Sequence, residues 1–382
     1  MDNKRKNILI ACDSSHTLLE FRGKLIEELV KGNNVSVFTP KISRQQVKDK
    51  LESLNVTVYE NKLNGSNVSI FSDLRYIVQL YQLIRDTKPD VFFPYTFKPV
   101  IYGTMVAKFC KTACITPMLT GLGYNFTDGG KKNWLVTAIT KVLLKVSLRG
   151  NKGIRIIFQN RDDYKKLLKT GIIGQKQQAY VVNGSGVDLS HYDYSEPDTL
   201  NISFLMISRL INAKGIKEYY EAAKSVRHKY PDIKFKLIGA FDNNIDSIPL
   251  DLFSKILFDD TIEYIGQVDD VRPYIKNASI VVLPSYYGEG VPRCILEGMA
   301  MGRAVITCDS VGCRETIYNE PSGRNGFLVP VKNVTALVLK MEYYINNTTD
   351  IIRYGVNGRH FAKAKFDVDL VNADMLKIMD VV

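Results

Sequence analysis

Two carboxylates eight residues apart, Glu289 and Glu297, lie in the stretch 284–316 beside the glycines Gly288 and Gly290. A strand over 280–283 is expected to end at Pro284. A helix is expected to begin near Val291–Pro292, where proline suits the first turn. Glycine lets the backbone approach a ligand closely, and a helix N-terminus offers N–H groups to an anion. Glu289 would stand in the loop and Glu297 on the helix two turns later. Both could hold sugar or ribose hydroxyls by charge-assisted hydrogen bonds. Upstream, a strand over 202–207 leads to Ser208–Arg209, and Lys214–Gly215 opens the next helix. Arg209 and Lys214 at the mouth of the same sheet would neutralise a diphosphate. The pattern describes a phosphate cradle flanked by carboxylates.

Other chemistries find less material. The first strand runs into Asp13–Ser14–Ser15–His16, so the dinucleotide fingerprint is absent there, and the sequence has no P-loop. The six cysteines form no C-x-x-C pair, and the four histidines form no H-E-x-x-H. Buried free thiols are expected. The one Asp-x-Asp triplet, Asp367–Val368–Asp369, opens a C-terminal helix, where capping accounts for it. No metal and no cofactor are expected.

These residues need elements to position them. The 382 residues fit two domains of about 150–200 residues each. Strands are expected at 7–12, 35–40, 56–60, 90–95, 113–119, 155–160 and 179–182, with helices at 18–30, 72–87 and 98–110. This is the βαβ rhythm of a parallel sheet covered on both faces. It stops at the turn-rich Asn183–Gly184–Ser185–Gly186 and restarts with strands at 202–207, 235–239, 262–266, 279–284 and 304–308. Helices are expected at 214–229, 270–277 and 292–302. The architecture implied is α/β: two doubly wound, Rossmann-like domains facing across a cleft, with a ligand at the strand ends. The domains are expected at 1–185 and 186–365. A C-terminal helix over 366–382 would return to the first.

Charge separates the halves. Residues 1–185 hold 29 Lys+Arg against 14 Asp+Glu, and the remainder 22 against 26. A basic half implies an anionic surface, either lipid or nucleic acid. Apolar residues Trp134, Leu135, Ala138, Ile139, Val142, Leu143 and Val146 recur at helical spacing, with Lys141, Lys145 and Arg149 four apart beside them. Lys131, Lys132, Lys152 and Arg155 flank the segment. Two readings remain open: a helix lying in a membrane interface, or one with its apolar stripe on the core. The basic half lacks clustered aromatic–basic motifs, which disfavours nucleic acid. No stretch approaches the roughly 20 apolar residues of a membrane span. The apolar run after the charged start is too short for a signal core, so a cytoplasmic protein is expected.

The stretch GEGVPRCILEGMAMGRAVI, with Glu289–x7–Glu297, resembles the signature of family 4 retaining glycosyltransferases, which have the GT-B fold. ISRLINAKG and YIGQVDDVRPYIKNASIVVLPS resemble neighbouring parts of that family. FRGKLIEELVKGNNVSVFTP, KPDVFFPYTFKPVIYG and TGLGYNFT resemble a bacterial capsule, O-antigen and glycan-precursor group that extends polyprenyl-diphosphate-linked sugars. That group often handles N-acetylhexosamines such as GalNAc. The resemblance implies that Arg209 and Lys214 stabilise the leaving diphosphate. It places Glu297 on the ribose, Glu289 with Gly290, Val291 and Pro292 on the donor sugar, Gly266 near the base, and Glu315 on the nucleotide side. Relatives carry a first-domain histidine where this chain has Thr120–Gly121–Leu122–Gly123. His16 is a substitute, and Arg22 and Lys98 could meet an acceptor diphosphate. Trp134, Lys141, Lys145 and Arg149 would touch an anionic inner-membrane surface.

The implied reaction transfers a sugar from a UDP-sugar with retention. No carboxylate is clearly placed as a nucleophile, so front-face attack is expected rather than double displacement. Two cations and a helix dipole would stabilise the leaving group without a metal. Domain closure would exclude water. A hydrolysing UDP-sugar epimerase of the same fold is the alternative. It would need acid–base groups in the first domain and no membrane contact.

Overall fold

The structure is a computed structural model of the 382-residue chain and describes residues 5–16, 18–63, 70–123, 134–150, 153–241 and 246–381. The flanking Lys131, Lys132 and Lys152, and 124–127 of the TGLGYNFT segment, lie outside the described residues. The chain forms two compact units: Met1–Ser185 with Asp369–Val382, and Gly186–Val368.

In the first unit, β1 (Asn7–Ala11), β2 (Asn34–Pro40), β3 (Thr57–Asn61), β4 (Val91–Pro94) and β5 (Cys114–Ile115) form a parallel sheet in the order β3-β2-β1-β4-β5. Successive β1 residues serve opposite faces. Leu9 and Ala11 pack with helix α3 (Ile70–Thr87), while Ile8 and Ile10 pack with α1 (Leu18–Val30) and α2 (Gln45–Ser53). A sheet covered twice needs such unbroken apolar strands. A π-helical turn, Pro99–Gly103, leads into α4 (Thr104–Phe109), and α5 (Trp134–Leu148) follows.

The expected strand over 113–119 is two pieces. After β5 the chain passes Pro117, and β6 (Met118–Leu119) pairs instead with β7 (Arg155–Phe158), itself paired with β8 (Gln178–Val181). Proline has no N–H to continue a ladder. Its carbonyl still accepts from Ile157 N at 2.9 Å. Helix α6 (Arg161–Lys169) starts where Asn160 Oδ1 caps Asp163 N at 2.7 Å.

In the second unit, β9 (Ser203–Ile207), β10 (Lys234–Ile238), β11 (Glu263–Gly266), β12 (Ile280–Leu283), β13 (Ala304–Cys308) and β14 (Gly326–Val329) form one parallel sheet in the order β11-β10-β9-β12-β13-β14. Helices α7 (Ile216–Lys229), α8 (Leu250–Phe258), α9 (Arg272–Lys276), α10 (Arg293–Ala300), α11 (Val334–Asn346) and α12 (Thr348–Phe361) accompany it. The order reverses between β9 and β12. Connections leave those two strands for opposite faces, and that is where a doubly wound sheet opens a crevice for ligands.

A π-helical turn, Ala362–Phe366, ends this unit. The last helix, α13 (Val368–Met379), packs its Val371, Met375, Ile378 and Met379 with Ile8, Ile10 and Leu25 of the first unit's core.

Candidate functional site

The site residues of the second unit gather at the reversal between β9 and β12. After β9 the chain passes the exposed Arg209 and makes one 3-10 turn, Asn212–Lys214. Gly215 follows at φ +81°, and a Cβ there would stand 2.3 Å from the carbonyl oxygen of Pro284. Only glycine allows this approach, and it brings the two loops together. Tyr286 N donates to Ala213 O at 2.9 Å, and Ser285 Oγ lies 3.3 Å from the same oxygen.

The two expected functional side chains meet here. Lys214 Nζ donates to Glu289 Oε1, and Ser285 Oγ donates to the same oxygen at 3.0 Å. Burial alone would lower the Lys214 pKa, but the Glu289 carboxylate overrides it and the net shift is upward. The ammonium therefore stays charged. It also lies 5.5 Å from the centre of the Tyr287 ring. Gly312, at φ +77°, would place a Cβ 2.4 Å from Gly290 O, so the loop after β13 buttresses Glu289–Gly290 from behind.

Helix α10 starts one residue later than expected, with the buried Pro292 as N-cap and no side chain capping it. Its Glu297 is 7% exposed. Arg293 Nε donates to Glu297 Oε1 at 2.6 Å and the Tyr192 hydroxyl donates to the same oxygen at 2.9 Å. Burial and the adjacent carboxylate both raise the Tyr192 pKa, so the phenol stays a donor. Burial pulls the Arg293 pKa down, yet Glu297 and Tyr192 carry it upward overall. Gly266 ends β11 at φ +84°, with open space where a Cβ would be. Glu315 is not part of this cluster. It pairs with Lys365 at 2.9 Å, and Lys365 lies over the Phe361 and Phe366 rings.

Sequence reasoning missed Arg293, Ser285 and Tyr192. Arg293 stands four residues before Glu297, a pairing that helical spacing could have shown. Tyr192 is 105 residues away, and no local signal reports it.

The first-unit candidates fare differently. Arg22 is 3% exposed, reaches Met118 Sδ at 2.9 Å and lies over the rings of Tyr95 and Phe93. Lys98 Nζ is paired with Asp73 at 2.7 Å, and Asp73 also accepts from the Tyr102 hydroxyl at 2.9 Å. Without a ligand, Arg22 thus stacks among aromatic rings and Lys98 pairs with Asp73. His16 is exposed after β1 and Thr120 is half-buried after β6. Beside His16, the Asp13 carboxyl is pushed up by burial and bonded by Thr96, a β-branched residue at φ +70°.

Helix α5 leaves most of its stripe exposed, with Leu143 packed against the core. Its buried residues are Leu144, Ser147 and Leu148, while Trp134 (77%), Leu135, Ile139, Val142 and Val146 are exposed, as are Lys141 and Lys145. Arg149, also exposed, donates to the carbonyls of Gly171 (2.6 Å) and Ile172 (3.3 Å).

Residues 201–347 match the family described as glycosyl transferases group 1, and residues 8–160 that described as glycosyl transferase 4-like. The chain belongs to these glycosyltransferases. The transferase is 26% identical to N,N'-diacetylbacillosaminyl-diphospho-undecaprenol alpha-1,3-N-acetylgalactosaminyltransferase of Campylobacter jejuni, over 95% of this chain and 96% of that one. It is 23% identical to UDP-Gal:alpha-D-GlcNAc-diphosphoundecaprenol alpha-1,3-galactosyltransferase of Escherichia coli, over 71% and 70%. Anabaena HepE in complex with UDP and glucose matches with a TM-score of 0.75 at 16% identity, over 99% of this chain and 100% of that one. The fold of this glycosyltransferase is GT-B.

Proposed function

We propose that this glycosyltransferase moves a sugar from a UDP-sugar onto an acceptor sugar carried on polyprenyl diphosphate, in bacterial surface polysaccharide or glycan biosynthesis. The observation that carries the reading is the Lys214–Glu289 pair at the reversal of the six-stranded sheet, beside Glu297 and the N-terminus of α10. The named activities of the Campylobacter and Escherichia relatives support the acceptor class, and the former supports an N-acetylhexosamine such as GalNAc as the sugar.

In this mechanism Glu297 takes the ribose, and Gly266 lies near the base. Glu289, with the Gly290–Val291–Pro292 backbone, takes the donor sugar, and Glu315 acts from the nucleotide side. Lys214 turns from Glu289 to the diphosphate, joined by Arg209. The acceptor hydroxyl attacks the anomeric carbon from the face that UDP leaves. The bond from that carbon to the diphosphate oxygen breaks, the new glycosidic bond forms, and the proton passes to the departing diphosphate. Configuration is retained. Stabilisation comes from the two cations and the helix N-terminus, with no divalent metal in the scheme. His16 and Thr120 stand on the acceptor side.

We assign α5 to an anionic membrane surface on the cytoplasmic side, through Trp134, Lys141 and Lys145. Contiguous exposed apolar surface marks an interaction site. The stripe Phe71 (89%), Leu74 and Val78 on α3 continues to Tyr81, whose ring lies 5.8 Å from that of the exposed Phe109 on α4. Lys108 joins α4 to α5 by donating to Val146 O (2.8 Å) and Arg149 O (2.7 Å). Residues 98–155 hold ten Lys or Arg against one acidic residue, which suits anionic lipid. No helix among the described residues is long and apolar enough to cross a membrane.

A panel of UDP-sugars, offered with a polyprenyl-diphosphate-linked acceptor and EDTA, tests the reading. One donor is expected to give an α-linked product by NMR. A β-linked product, or strict dependence on added metal, would contradict the mechanism.

A further inference from the structure

The chain passes between the two units twice, after Ser185 and after Val368. On the second-unit side the two passing segments are tied together. Val187 N donates to Phe366 O at 2.8 Å, and Val368 N to Val187 O at 3.1 Å. Gly186 has φ +70°, and a Cβ there would lie 2.7 Å from Val368 Cα. Beyond Val187 the chain makes a turn fixed by Asp188, whose Oδ1 accepts from Ser190 N (3.0 Å), Ser190 Oγ (2.6 Å) and His191 N (3.1 Å). Arg359 of α12 clamps the turn from the other side, donating to Tyr192 O at 2.7 Å and Leu189 O at 3.1 Å.

A segment held this firmly can hold something else. His191 Nδ1 stands 3.4 Å from Arg272 Nη1, and that guanidinium is bound by Asp270 in the loop after β11. Tyr192, buried, reaches Glu297 on α10. One short turn thus touches the elements that would carry the base and the ribose. The bonding of Glu297 is one-sided. Tyr192 and Arg293 both donate to Oε1, and among the described residues Oε2 accepts no bond. A carboxylate anchored through one oxygen presents the other in a fixed direction, as hydrogen bonding to a vicinal hydroxyl requires.

We propose that Tyr192 is a positioning residue: its hydroxyl fixes Oε1 of Glu297 so that Oε2 faces a ribose hydroxyl of the donor nucleotide. The inference rests on the reading that Glu297 meets the ribose.

Calorimetric titration of the full chain with UDP, 2′-deoxy-UDP and 3′-deoxy-UDP tests it. The unaltered chain is expected to favour UDP over one of the deoxy nucleotides. In Tyr192→Phe, which keeps the ring, that preference should shrink by about tenfold, with the deoxy affinity and the melting temperature unchanged. In a Glu297→Gln background, Tyr192→Phe should cost nothing more. An unchanged preference in Tyr192→Phe overturns the proposal. So does an equal loss for all three nucleotides with a lower melting temperature, which marks a purely structural tyrosine. If the unaltered chain and Glu297→Gln bind all three nucleotides alike, the ribose reading itself fails, whatever Tyr192 does.

Discussion

The two units use the same sheet design and spend their charges differently at the strand ends. In the second unit, the reversal between β9 and β12 brings together Lys214 with Glu289 and Arg293 with Glu297, in largely buried pairs. In the first unit, the reversal between β1 and β4 has its cations committed elsewhere, Arg22 to Tyr95, Phe93 and Met118, and Lys98 to Asp73. One mouth is organised for an anion with hydroxyls around it. The other holds the largely buried carboxyl of Asp13. Of the first unit's positive charge, α5 displays Lys141 and Lys145. The same topology thus gathers one polar cluster in the second unit and, in the first, pairs Arg22 with aromatic rings and Lys98 with Asp73.

That contrast can be broken in four places. Lys214→Ala is expected to have the largest effect, lowering acceptor-dependent turnover by about 10²–10³-fold, because it removes stabilisation of the leaving diphosphate. Arg22→Lys, by contrast, should act through the stability of the first unit, seen in thermal melts. Next, Glu297→Gln should raise the donor KM by roughly ten- to a hundredfold, since one charge-assisted hydrogen bond becomes a neutral one. Steady-state kinetics at fixed acceptor checks it.

The third place is Asp163, buried at the start of α6, where burial raises its pKa from 3.8 to about 7. The folded state then holds a proton that the unfolded chain releases. Its contribution is complete below about pH 4 and is lost as pH rises through about 7, at up to about 1.4 kcal/mol per pH unit. Urea unfolding of the chain should therefore show a first transition that weakens from pH 5 to pH 7 and levels above. Asp163→Asn should flatten that slope. The smallest effect is on α5. Lys141→Ala with Lys145→Ala should weaken binding to anionic vesicles by about 1 kcal/mol per lysine, an effect erased by high salt, while turnover of a detergent-solubilised acceptor stays unchanged.

Much of the second unit was legible because its signals are local. Glycines at the loops, the proline before α10 and the eight-residue spacing of Glu289 and Glu297 each report a backbone need within a few residues. The contact between Lys214 and Glu289 was not legible, since it arises only when the close approach at Gly215 brings two distant loops together. Tyr192 escaped for the same reason. In the first unit the residue types say less about their surroundings. Arg22 and Lys98 look like anion binders in a sequence, but stacking on aromatic rings and pairing with Asp73 are decided by packing partners 70 or more and 25 residues away. Helix α5 shows the limit of periodicity. An apolar stripe predicts a buried face or a membrane face equally well, and only the position of Leu144 and Leu148 in the core leaves the other stripe outside.

The measurement that tests the central claim most directly is UDP release in EDTA, with and without a polyprenyl-diphosphate-linked sugar, for the unaltered chain and Lys214→Ala. The account predicts release that requires the acceptor, yields a lengthened lipid-linked glycan and falls at least a hundredfold in Lys214→Ala. Release that proceeds equally without acceptor, with an epimerised free sugar as product, would contradict it.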